Sequence, residues 1–179
     1  MIPSRIQSLF LLLLLLASPF VAADDPYKKD TPKSETAKFE MTRDERRLLE
    51  LVNKERAKAN LPALRPHPLL FKAARDHSAN MAKQRKMEHD LDGKRPAQRV
   101  EAVGYDWGKV AENLVTSDQT DVPLQQIVKS WMDSKIHREN ILLKDVTETG
   151  LGIATNAKDE VYYTQVFARP RKRAKSGNK

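Results

Sequence analysis

The sequence predicts an α+β domain with helices first and strands last. Two observations carry this. Apolar residues recur at three-to-four spacing through two long segments, 43–59 and 69–85, while two later runs, 149–155 and 160–168, read as strands. The chain of 179 residues is 40% hydrophobic, enough for a packed core, and has no cysteine. That excludes a disulfide framework, a thiolate zinc site and a cysteine nucleophile.

The elements follow in order. Thr42-Arg43-Asp44-Glu45 is a capping box: the threonine can accept from the third helical N–H while the glutamate reaches back. Leu48, Leu49, Leu51 and Val52 continue the first helix, which Asn60-Leu61-Pro62 ends. Leu69, Leu70, Ala73, Ala74, His77 and Met81 mark the second helix. Pro96 opens a short helix toward Val103, closed by Gly104, and Ile127, Val128, Trp131 and Met132 mark another over about 122–134. The run Thr149-Gly150-Leu151-Gly152-Ile153 reads as a strand with two glycines, and Asn156 to Asp159 as a hairpin loop before the last strand.

Outside this domain, placed at 40–168, the chain changes character. Residues 1–23 read as a signal peptide: Arg5, an apolar run from Leu9 to Leu16 too short for a stable bilayer span, then Val21-Ala22-Ala23 as a cleavage site. The alternative is an uncleaved anchor. Residues 24–39 hold four acids, four bases and two prolines and read as a disordered linker. Residues 169–179 read as a disordered basic tail with six bases and no acid, whereas 40–168 carries 21 bases and 20 acids. Most of the net charge of +8 is therefore terminal. No nucleic-acid reader motif accompanies it, so the tail points to an anionic surface and not to nucleic acid.

No H-E-x-x-H, G-x-S-x-G or P-loop is present. Of the histidines, His67 lies between prolines and reads as a surface residue. His77, on the apolar face of the second helix, reads as a core residue with a satisfied hydrogen bond in preference to a ligand. His89 lies in a polar loop, and His137 near the end of the Trp131 helix. Glu112 is an acid among apolar residues: either an exposed strand or loop position, or a carboxylate aimed into a cleft and bonded to backbone or imidazole.

Taken together, several segments resemble the CAP superfamily of cysteine-rich secretory, antigen 5 and pathogenesis-related proteins, in its bacterial secreted form. They are Leu48 to Arg56, Leu61-Pro62-Ala63-Leu64, Ala74 to Ala82, Ala111-Glu112-Asn113-Leu114, Trp131 to Leu142, Gly150 to Ala154 and Tyr163 to Phe167. The resemblance spans about 46–168 and implies a three-layer α-β-α sandwich with a central cleft. Animal and plant members line that cleft with two histidines and two glutamates. Carried over, His89 takes the first histidine position and Glu112 the first glutamate. Ser134 stands at the second glutamate position and Tyr162 at the second histidine. His137, three residues past Ser134 and so on the same helix face, would complete a His89–Glu112–His137 arrangement.

Three chemistries are open to such a set. His89 and His137 with the carboxylate could hold a divalent metal such as zinc, with water in the open position. One histidine oriented by the carboxylate could act as general base, with Ser134 the only hydroxyl to nominate as nucleophile. The three could also form a polar network that fixes the cleft loops. The expectation is an exported, secreted or envelope binding module, without enzyme activity, for a lipid, glycan or other extracellular ligand; the alternative is a peptidase-like hydrolase in the envelope.

Overall fold

A computed structural model describes residues 39–172. The expected signal segment, all but the last residue of the expected linker, and residues 173–179 lie outside the described residues.

Helix α1 spans Arg43–Lys58 and opens as its capping box requires: Glu45 N–H donates to Thr42 Oγ1 at 3.2 Å, and Thr42 N–H to Glu45 Oε2 at 2.8 Å. After a two-residue strand β1 (Arg65–Pro66), helix α2 (Pro68–Gln84) starts on a proline, whose missing N–H costs nothing there. It stops at Arg85, held in the left-handed region at φ 55°. Helix α3 spans Pro96–Ala102, strand β2 Trp107–Ser117, helices α4 and α5 Leu124–Asp133 and Lys135–Ile141, and strands β3 and β4 Glu148–Thr155 and Val161–Pro170.

The four strands form one sheet in the order β1-β3-β4-β2. β3, β4 and β2 are antiparallel, and β1 runs parallel to β3. α2 lies against one face of the sheet. A Cβ on Gly150 would come within 2.0 Å of the Leu70 backbone, and one on Gly152 within 2.3 Å of the Ala74 backbone, so these glycines let the helix backbone rest on the strand. The other face packs against α1, α4 and α5 through Leu48, Val52, Ile127, Trp131, Ile141, Leu151, Tyr163 and Phe167. The fold is therefore α+β in three layers. Tyr162, Val166 and Ala168 alternate with Tyr163 and Phe167 along β4, the former toward α2 and α3 and the latter toward the larger core.

Four features differ from the sequence reading. β2, eleven residues long, is absent from that reading: its Lys109, Glu112 and Asn113 break the apolar pattern because it is an edge strand with polar tasks on both faces. The Trp131 helix ends where expected, at Ser134, whose backbone is extended at φ −80°, ψ 124°, but a further helix begins at Lys135. His137 thus sits on a separate helix, and the same-face argument linking it to Ser134 does not apply. Phe39, assigned to the linker, packs on the core with its ring 5.0 Å from that of Phe71. Arg169 and Pro170, assigned to the tail, extend β4 opposite Lys109 and Trp107.

Candidate functional site

Glu112 sits midway along β2, opposite Val166, and so points to the α2–α3 side of the sheet. The next residue, Asn113, points to the other side. Its side chain donates to His137 O at 2.9 Å and accepts from Asn140 at 2.9 Å, while Asn140 also donates to the Glu112 carbonyl at 3.2 Å. Two α5 residues thereby cover the outer backbone of an edge strand that would otherwise offer unpaired groups.

The Glu112 side chain is buried and fully engaged. Arg99 Nη2 donates to its two oxygens at 2.9 and 2.8 Å, and His89 Nδ1 donates to Oε1 at 2.9 Å. With Nδ1–H committed to the carboxylate, Nε2 is left as the free nitrogen on a ring whose side chain is 51% exposed. Arg99 comes from α3 and is 11% exposed. Its Nη1 also donates to the carbonyls of His89 at 2.8 Å and Lys94 at 2.6 Å. One guanidinium therefore holds both the carboxylate and the loop that carries His89. Arg99 is not among the sequence-predicted site residues, for it stands in a short polar helix with nothing in its neighbours to set it apart.

His77 is buried as expected but lacks the expected hydrogen bond. Neither ring nitrogen has a partner in bonding geometry, and Nε2 lies 3.8 Å from Glu112 Oε1. Burial lowers its pKa, and Arg99 and His89 add to that, while Glu112 and the Glu88 backbone oppose it. His137 is half-buried, and its pKa is lowered by burial and then by the nearby His89. The fold thus brings His137 close to His89 through a different helix from the one expected. Tyr162 is buried among Met81, Leu91 and Leu114, and its hydroxyl donates to Glu160 at 3.3 Å. Ser134 is the joint between α4 and α5. His67, expected at the surface, is half-buried with its ring edge-on to Tyr105, centroids 4.8 Å apart.

Among the described residues, no group of three or more His, Cys, Asp or Glu side chains is placed to hold a metal ion. Glu112, moreover, already meets a fixed cation, Arg99, on both oxygens. The residues therefore do not fit a zinc ion held by His89 and His137 with Glu112 as third ligand. On the far side of Arg99, between α2 and α3, a cavity of about 300 Å³ is lined by Asp76, His77, Asn80, Asp92, Lys94 and Arg99 among others.

Comparison with known proteins adds to this geometry. The model of the cysteine-rich secretory protein family, CAP, matches residues 49–167. The uncharacterized protein YkwD of Bacillus subtilis is 30% identical over 124 residues, 69% of this chain and 46% of that protein. A Borreliella burgdorferi protein is 26% identical over 95 residues, 53% of this chain and 59% of its own. The chain spans about half the length of the curated relatives it matches. Among solved structures, an outer surface protein of Borrelia burgdorferi aligns with a TM-score of 0.67 at 21% identity, over 74% of this chain and 97% of that one. An extracellular protein of Bacillus anthracis containing an SCP domain aligns at 0.61 and 25% identity, over 70% of this chain and 40% of that one. No helix among the described residues is long and apolar enough to cross a membrane.

Proposed function

The chain belongs to the cysteine-rich secretory protein (CAP) family, and from that premise we propose that it is an exported binding module whose cleft, at the free edge of the sheet, holds a ligand without transforming it. The observation that carries this is the engagement of Glu112. A carboxylate bonded to Arg99 through both oxygens and to His89 through one is a fixed structural charge, not a free base. Among the described residues no hydroxyl is hydrogen-bonded to the ring of His89 or His137, so no activated nucleophile stands beside them.

The rim supports a ligand with an apolar part, such as an envelope lipid or a lipid-linked glycan. Met87 and Ile136, 47% and 71% exposed, are the large hydrophobics left in water among the described residues, and each lies within two positions of a cleft histidine. Binding of envelope lipids and wall fragments by the wild type, weakened about tenfold or more in a His89→Ala, Met87→Ser variant, is the expected result. Equal binding by both would remove the cleft from the proposal.

A second reading, the hydrolase, draws on the same His89–Glu112 bond, because a histidine oriented by a carboxylate can act as general base. Turnover on a peptide and ester panel that disappears in His89→Ala would replace the binding reading. Export rests on the apolar run Leu9 to Leu16 and the small residues before Asp24. A mature N-terminus at Asp24, measured by mass spectrometry on the native protein, tests it. The bases of the tail would add salt-sensitive attachment to an anionic surface, and truncation after Arg171 should abolish that retention.

A further inference from the structure

We propose that the cavity between α2 and α3 is a second ligand site, and that it takes one sugar ring. It lies on the far side of Arg99 from the sheet-edge cleft, and the proposal does not depend on what that cleft holds.

Two helical stripes face each other across the cavity. α2 supplies Ala73, Asp76, His77 and Asn80, at i, i+3, i+4 and i+7, and Arg99 and Ala102 face them from α3. The loop between the helices closes one side with Asp92 and Lys94. Asp92 is held at φ 52°, a left-handed conformation that aspartate tolerates, and its carboxylate turns back to α2. There it accepts from Asn80 at 2.8 Å and from Gln84 at 2.9 Å on both oxygens. Those donors, Asn80 first, hold its pKa below the ordinary carboxylate value. The polar wall is thus set in place by contacts within the protein. It carries two carboxylates, Asp76 and Asp92, against two cations, Lys94 and Arg99. That balance favours a polar ligand without net charge.

His77 gives a second, independent observation. It is 1% exposed, and neither ring nitrogen has a hydrogen-bond partner among the described residues. Arg99, on the same cavity, has its two Nη groups engaged but its buried Nε unpaired. Polar groups withdrawn from water in this way are costly unless something answers them. Arg99 Nε can only donate. The imidazole, neutral because burial lowers its pKa, donates from one nitrogen and accepts at the other. An ionised carboxylate only accepts and an ammonium only donates, whereas a hydroxyl does both and so suits either group. Several hydroxyls on one ring would also meet the Asp76 carboxylate and the Lys94 ammonium. Leu91 and Val103 complete the lining and offer apolar surface to the C–H face of such a ring. At about 300 Å³ the cavity stands at the lower end of the size range of small-molecule pockets, so it suits a single ring and not a chain.

The test is saturation-transfer NMR on the untagged, full-length protein, with amide shifts of Asn80 and Lys94 as the report of location. The probes are glucose, galactose, mannose and N-acetylglucosamine, with glycine and phosphate as charged controls. At least one sugar should bind saturably with a Kd of about 1 mM or below, and tighter than either control. Ala102→Trp, at an exposed position of α3, should fill the cavity and weaken that binding about tenfold or more. Lys94→Ala should weaken it about fivefold, and His77→Phe about tenfold. If His77→Phe does not fold, Ala102→Trp and Lys94→Ala carry the test. A panel in which no sugar binds would overturn the proposal, as would sugar binding that Ala102→Trp leaves unchanged. Tighter binding of glycine or phosphate than of every sugar would overturn the assigned chemistry. Sugar binding lost in His89→Ala and kept in Ala102→Trp would move the ligand to the sheet-edge cleft and end the proposal. Lipid binding in the His89→Ala, Met87→Ser variant reads the separate question of what that cleft holds.

Discussion

Two arginines, Arg56 buried and Arg99 partly buried, tie separate segments together, and they do so in different chemical company. Arg56, at the end of α1 and 1% exposed, spends its donors on backbone carbonyls alone: Nε on Pro62 at 2.9 Å, Nη1 on Ile141 at 2.7 Å and Leu143 at 2.9 Å. It closes the turn after α1 onto the end of α5, and burial without a carboxylate lowers its pKa. Arg99 also binds two carbonyls, but its remaining group meets Glu112, which His89 shares. The first arginine is a staple whose removal should be felt everywhere. The second is a staple with a counter-ion that a part-exposed histidine shares, so its surroundings carry a titratable group as well as stability. A buried arginine is thus classed by what accepts from it, not by how deeply it is buried.

That contrast can be broken or sharpened by substitution. The largest effect should come from Arg56→Ala. It strands three carbonyls and opens a cavity, and should cost about 3–5 kcal/mol in urea unfolding; a cost under about 1 kcal/mol would end the distinction. Next is Glu112→Leu, which leaves the Arg99 guanidinium without its carboxylate and should cost about 2–4 kcal/mol. The double variant Arg99→Leu, Glu112→Leu should cost less than the two single changes summed, and a double-mutant cycle measures that coupling. Gly152→Ala touches neither arginine. Its Cβ would meet the Ala74 backbone at 2.3 Å, so β3 and α2 must separate, at about 1–3 kcal/mol and with a lower melting temperature.

The pH response is a smaller effect confined to the Arg99 side. His77 and His137 both have folded pKa values below the ordinary 6.5. The unfolded chain therefore binds protons first as pH falls, and stability that is fully present above about 6.5 should be lost as pH drops through and below it. Unfolding free energies measured across pH 5 to 8 should show that slope, and His77→Phe should flatten it. The smallest effect belongs to Asp106→Asn at the exposed Arg171 pair, 2.8 Å apart, where thermal unfolding should change by no more than about 0.5 kcal/mol.

Much of the fold was legible in the sequence because its signals are local. Thr42 and Glu45 are three residues apart and cap α1 as their spacing implies. The helical stripes of α1 and α2 and the final strand pair were readable for the same reason. β2 was not, since an edge strand that turns Glu112 to one face and Asn113 to the other carries no clean alternation. In the site, the meeting of His89 and Glu112 followed from the family resemblance. The unpaired ring of His77 and the role of Arg99 did not, because both depend on partners contributed by other elements.

By itself, then, the sequence determined the α+β class and most of the order of helices and strands, through periodicity and caps, while it left Glu112 open between an exposed position and a carboxylate bonded to backbone or imidazole. Only the tertiary structure decided what neutralises that carboxylate. Arg99 is thirteen residues from Glu112 in the chain, and nothing local to either distinguishes a solvated cation from a buried counter-ion. The charge of a cleft is set by which groups packing forces together away from water, and that is a property of the assembled layers.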